Sequence, residues 1–145
     1  MTASRIDLGM AAAAARELPA DVTPELRTRY RQLRVMLHTA GLAATYAYIA
    51  AKARDTDQVQ DNLAAAYRVA GEVIRKRLWE RNMLPGAEEP VAPRQVLASL
   101  GAMNQVQYAR ASAEAAALVD WMARLADAMY APKRANTTTP DDANA

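Results

Sequence analysis

Arginine is the residue type through which this chain could do chemistry, and that chemistry is recognition of phosphate rather than transfer of a group. Arg27, Arg31 and Arg34 fall at i, i+4 and i+7, so on a helix they share one face. A guanidinium is planar, permanently charged and forked, which suits phosphate oxygens. A row of them meets successive phosphates without reading the bases between. The plain alternative is a solvated face whose arginines pair with acids on neighbouring helices. Arg110 and Arg124 are 14 residues apart, which leaves them about 40° apart around a helix axis, on one flank of an apolar stripe. Arg75, Lys76, Arg77 and Arg81 form the densest cluster, near the end of a long helix, where the dipole alone favours cations.

The charge is unevenly spread. Residues 24–81 hold eleven basic residues against six acids, while the rest of the chain has an excess of three acids. Mostly arginine on the basic side, this asymmetry suits either phosphate contacts or salt-bridged helix surfaces.

Groups for catalysis are scarce. Cysteine is absent, which leaves no disulfide, thiolate site or thiol nucleophile. One histidine, His38, builds no two-histidine metal site, and no Glu-x-x-His occurs. The five glycines are scattered singly, so no phosphate-cradling loop is present. Glu88 and Glu89 sit in an expected exposed, mobile loop. His38, beside a helix break, reads as a structural hydrogen-bonder, Glu114 as a partly shielded partner of Arg110, and Trp121 as core. The chain is therefore expected to be no enzyme, and to take no metal, cofactor or small-molecule substrate. Residues 1–15 carry Arg5 and Asp7 and no continuous apolar stretch, so no signal peptide is read. No run approaches the roughly 18 apolar residues of a membrane span. The expected location is the cytoplasm.

Positioning these residues falls to helices. Alanine, leucine, arginine and glutamate abound, whereas aromatic residues make up 6% and phenylalanine is absent. A first helix is expected over about 4–17, with Ile6, Met10, Ala13 and Ala14 inward and Pro19 ending it. Thr23, Pro24 and Glu25 open a second, striped by Leu26, Tyr30, Leu33 and Leu37. After a break at 38–41, a third carries Leu42, Thr45, Tyr46 and Ile49 to about 53. Asp55-Thr56-Asp57, with Gln60, caps a long fourth helix to about 82, striped by Val59, Leu63, Tyr67, Ala70, Ile74 and Leu78. The loop 83–93 leads to a short fifth helix from Pro93 to a stop at Gly101. The last helix, capped by Asn104 and Gln107, bears Leu118, Trp121, Met122, Leu125 and Met129 and stops at Pro132. The expected fold is all-α: a compact bundle of about six helices with a long central and a long C-terminal helix. Residues 1–135 make one domain, and 136–145 a disordered tail.

Two segments carry a resemblance. One is Leu37-His38-Thr39-Ala40-Gly41-Leu42-Ala43-Ala44-Thr45-Tyr46-Ala47-Tyr48-Ile49-Ala50-Ala51-Lys52; the other runs from Tyr108 through Ala109, Arg110, Ala111, Ser112, Ala113 and Glu114 to Trp121, Arg124 and Ala126. Together they resemble the small α-helical subunit of the type III-B CRISPR (Cmr) RNA-targeting complex. That family has a Gly-Leu-x-x-Thr-x-Ala-aromatic segment ending in lysine, and a C-terminal Tyr-x-x-Ala-Thr/Ser-x-Glu…Trp-x-x-Arg helix. Order, spacing and length fit over about residues 4–130. Tyr48 replaces the usual phenylalanine, Ser112 the usual threonine, and Ala123 a frequent lysine, which removes one basic contact.

The resemblance implies a non-catalytic subunit of which several copies stack along the complex body, beside guide RNA and target RNA, among other Cmr subunits. Candidate RNA-binding residues are then Arg27, Arg31, Arg34, Lys52, Arg75, Arg77, Arg81, Arg110 and Arg124. A protein–protein scaffold that never touches RNA, or the equivalent small subunit of another CRISPR class, would use the same helices.

Overall fold

Each helix boundary has a local cause. The computed structural model describes residues 2–19, 22–54 and 61–130, and within them the chain forms six helices and no strand. These are α1 (Thr2–Glu17), α2 (Pro24–Ala40), α3 (Leu42–Ala53), α4 (Asp61–Glu80), α5 (Pro93–Gly101) and α6 (Gln105–Met129). At the start of α2 the Thr23 hydroxyl accepts the Leu26 N–H at 3.1 Å, with Pro24 and Glu25 in the first turn. At α6, Asn104 Oδ1 accepts the Gln107 N–H at 2.8 Å while Gln107 Oε1 accepts the Asn104 N–H at 2.9 Å. Helix α4 ends in a Schellman turn: Asn82 takes φ 56°, its N–H reaches the Trp79 carbonyl, and Met83 N–H reaches that of Leu78.

The break between α2 and α3 is where the two family-like segments meet. Gly41 has φ 92° and ψ 170°, a conformation costly for any residue with a Cβ. Glycine also offers no capping side chain. The cap comes instead from α6, whose Tyr108 hydroxyl accepts the Ala43 N–H at 2.9 Å. A glycine in the first segment and a tyrosine in the second are thus one joint.

The inward stripes of α2 and α3 fall as the spacing predicts. Leu26, Tyr30, Leu33 and Leu37 are buried, as are Leu42, Thr45, Tyr46 and Ile49. Tyr30 keeps its hydroxyl satisfied inside by donating to the Ala66 carbonyl at 3.2 Å, and burial pushes its pKa upward. Met10, Ala13 and Ala14 of α1 and Tyr67, Ala70, Ile74 and Leu78 of α4 complete that side. The main packings are α2 on α6, α3 on α4, and α1 on α6.

Four expectations need correction. On α6 the buried face runs through Ala111, Glu114, Ala115, Leu118, Val119, Met122, Ala123 and Ala126. Trp121 and Leu125 sit only half-buried at its edge, and Met129 is exposed. Alanine wins the centre because a small side chain lets helices approach closely, which hydrophobicity alone does not reveal. Helix α5 does stop at Gly101, but not through a left-handed glycine: Ala102 caps it in right-handed geometry, and its N–H reaches the Ala98 and Ser99 carbonyls. The loop before α5 is exposed over 85–89 as expected, but it is pinned at both ends: Leu84 and Pro90 are buried, and Gln95 Oε1 accepts the N–H groups of both Val91 and Ala92. His38 is exposed at the end of α2, and its side chain makes no hydrogen bond among the described residues. The expected cap at 55–57 with Gln60, Val59, the side chains of Ile6 and Leu63, Pro132 and the tail 136–145 lie outside the described residues.

The joint at Gly41 can be tested by thermal and urea unfolding. Tyr108→Phe removes the cap and is expected to cost about 1 kcal/mol. Gly41→Ala is expected to cost about 1–3 kcal/mol through backbone strain.

Candidate functional site

Helices α2 and α6 run side by side, and their shared edge gathers the arginines. From α2, Arg27 Nε lies 2.7 Å and Arg31 Nη2 2.8 Å from the same oxygen of Asp127 on α6. One step along the seam, Arg34 Nη1 is 3.2 Å from one Asp120 oxygen and Arg124 Nε 3.1 Å from the other. Two carboxylates therefore serve four guanidiniums, and the seam keeps an excess positive charge of two. The hydrogen bond from Arg27, followed by that from Arg31, holds the Asp127 carboxyl below its ordinary pKa. Two rings frame the seam: Arg27 stacks 4.8 Å from the Tyr130 centroid and Arg124 5.8 Å from that of Trp121. The expected face of Arg27, Arg31 and Arg34 exists, and the acids that neighbour it come from α6. Each ion pair is partly exposed, so each contributes only a few tenths of a kcal/mol, about 0.2–1 at most.

The α4 cluster is used differently. Arg75 is 7% exposed and wrapped: Glu72 takes its Nε and Nη2 at 3.1 and 2.8 Å, while Nη1 reaches Glu89 and the Pro90 carbonyl. Its guanidinium fastens the loop before α5 to α4 and is not offered to solvent. The same contact keeps the Glu72 carboxyl below its usual range and Arg75 above its own. Glu72 is therefore expected to add stability at neutral pH that is lost as acid titrates it.

Glu114 was expected to hold Arg110, and instead one of its oxygens accepts from Arg77 at 3.0 Å and ion-pairs with Arg81 at 3.2 Å. The reason is direction. Glu114 points into the packed face of α6 beside Ala111 and Ala115, where α4 arrives, while Arg110 projects outward and forms no ion pair among the described residues. Arg77 is nearly as enclosed as Glu114, and its guanidinium lies against Gly9 of α1. Lys52 is exposed, its ammonium 5.6 Å from the Tyr48 ring. Ala123 is fully buried, so a lysine at that place would find no solvent in this fold.

Among the described residues no group of three or more histidine, aspartate or glutamate side chains is placed to hold a metal ion. No helix of these residues is long and apolar enough to cross a membrane.

Sequence reasoning found the α2 face. It missed Asp120 and Asp127, whose signal was present: both fall on one side of the last helix, seven residues apart. It also missed that Arg77 and Arg81, one turn apart, would converge on Glu114.

Arginine-rich seams on a six-helix bundle define a class first: a small all-helical protein with basic lateral edges. Over residues 8–129 the chain matches the family described as CRISPR-associated protein (Cas_Cmr5), and it belongs to that family. It is thus a subunit of a CRISPR Cmr complex, a family that associates with other Cmr subunits. No curated protein and no solved structure matches it.

Two measurements check the ion pairs. Glu114→Ala, which strands the enclosed Arg77, is expected to lower unfolding free energy by about 3 kcal/mol. Glu72 has its folded pKa depressed, so its contribution is present above the unfolded pKa and lost as pH falls through the folded one. Glu72→Gln is therefore expected to flatten the acid limb of a stability–pH curve.

Proposed function

We propose that this chain is a non-catalytic small subunit of a type III-B Cmr effector complex, serving antiviral defence in the cytoplasm. It lies along the complex body beside further copies of itself, and its seam contacts the backbone of guide and target RNA without reading sequence. Residues 1–135 act as the single domain, with 136–145 as a tail. One observation carries the reading: four arginines share two carboxylates along the α2–α6 edge. Each arginine gives one nitrogen to an aspartate, which leaves other N–H donors on every guanidinium for phosphate oxygens. Aligned donors with no shaped pocket for a base suit a surface that must accept any guide. Lys52 is exposed and can join such a contact. Arg75 and Arg77 serve the fold instead.

A second reading has an observation of its own. Every seam arginine is already paired with an aspartate, as in a protein scaffold that leaves RNA alone. Neutralising the acids separates the two. In a reconstituted complex, Asp120→Asn with Asp127→Asn is expected to raise target-RNA affinity several-fold and to steepen its salt dependence. Arg27→Glu, Arg31→Glu and Arg34→Glu together are expected to weaken binding by tenfold or more. Unchanged affinity and salt slope in both variants, with photo-crosslinks to protein alone, would establish the scaffold.

A further inference from the structure

The other end of α6 holds a second place for an anion. Between the close of α4 and the first turns of α6 lies a cleft of about 230 Å³, lined by Arg81, Asn82, Met83, Pro85, Gln107 and Arg110. Its charged lining is all cationic, with no carboxylate on the wall. Glu114, the acid paired with Arg81, is 7% exposed and faces inward, where Arg77 and Arg81 lie against it through their Nε atoms. That bond fixes the Arg81 stem and leaves its two terminal nitrogens unused by Glu114. Arg110, on the opposite wall, is exposed and makes no ion pair among the described residues. Gln107 spends its carbonyl oxygen on the Asn104 N–H, so its amide hydrogens remain to donate. The cleft also lies at the positive end of a 25-residue helix.

We propose that this cleft binds one phosphate group of an RNA backbone. The proposal rests on the reading that this subunit lies against RNA, and adds a contact roughly 26 Å along α6 from Asp127. Two guanidinium forks on different helices approach from different directions. A tetrahedral phosphodiester, with two non-bridging oxygens, can meet both. The volume is below that of pockets that enclose a whole drug-sized ligand, and suits a phosphate with part of its sugar.

Arg110 has no ion-pair partner among the described residues, so its replacement is expected to leave the fold intact, with an unchanged thermal midpoint as the control. In the reconstituted complex Arg110→Glu is expected to weaken target-RNA binding about tenfold, and Arg110→Gln to lower the salt slope by about one per copy. Arg110→Lys, which keeps the charge and loses the fork, is expected to restore the slope and only part of the affinity. A photoreactive group at Gln107 is expected to crosslink RNA. If the Arg110 variants leave affinity and slope unchanged while the α2 charge reversals weaken binding, the cleft is no phosphate site and the seam contact stands. If neither set changes binding, both fall. Crosslinks from Gln107 to protein alone would also overturn the proposal, and would mark the cleft as a seat for a partner's acidic side chain.

Discussion

The bundle turns on a single enclosed carboxylate. Glu114 lies within the packed face of α6, among alanines and leucines, where an unpaired charge would cost several kcal/mol. Helix α4 must therefore present Arg77 and Arg81, one turn apart, at one position along α6 and at one rotation about its own axis. Arg77 in turn occupies the space that Gly9 leaves open on α1, and Lys76 reaches Glu17 at 3.6 Å. Three helices are thus registered by one anion. Apolar packing supplies the driving force, but alanine-rich faces slide easily. A buried charge tolerates no such slip.

Helix α6 is the spine on which α2, α3 and α4 are hung, each by a different device. Its first turn lends Tyr108 to cap α3, its second third holds α4 through Glu114, and its last turns hold α2 through Asp120 and Asp127. The devices differ in exposure: a half-buried hydroxyl, an enclosed carboxylate, then acids at the solvent edge. The buried face itself continues into the last third through Met122, Ala123 and Ala126. Adjustable electrostatics gather in the last, where arginines from α2 and α6 are both present.

How much of this was legible in the sequence depended on the kind of signal. Helix starts with a capping side chain, at Thr23 and Asn104, stood where local chemistry placed them, because both partners lie within three residues. The stripe of α2 was legible because leucine and tyrosine are unmistakably apolar. That of α6 was misread by one edge: alanine is weakly hydrophobic, so Trp121 and Leu125 outweighed Ala111, Ala115 and Ala126. The Tyr108 cap and the Arg75 clasp on Pro90 were not legible, since each links residues far apart in sequence or in a loop. The arginine face of α2 was read correctly as a face, but its partners are about a hundred positions away. Two family-like segments showed which protein family to expect without showing that Gly41 and Tyr108 are in contact.

The shared aspartates of the seam have a further consequence. An ordinary basic surface gathers mobile anions from solution, and a polyanion that docks there releases them, a gain in entropy that vanishes in strong salt. Here half of the compensating charge is bolted to the chain. Asp120 and Asp127 belong to the chain, so on the proposed reading a docking polyanion liberates nothing at those positions. Two such edges can also lie close together without strong mutual repulsion, because each arrives partly neutralised. Tethered counterions make the seam a quiet surface in isolation, on which any anion must compete with carboxylates already in place.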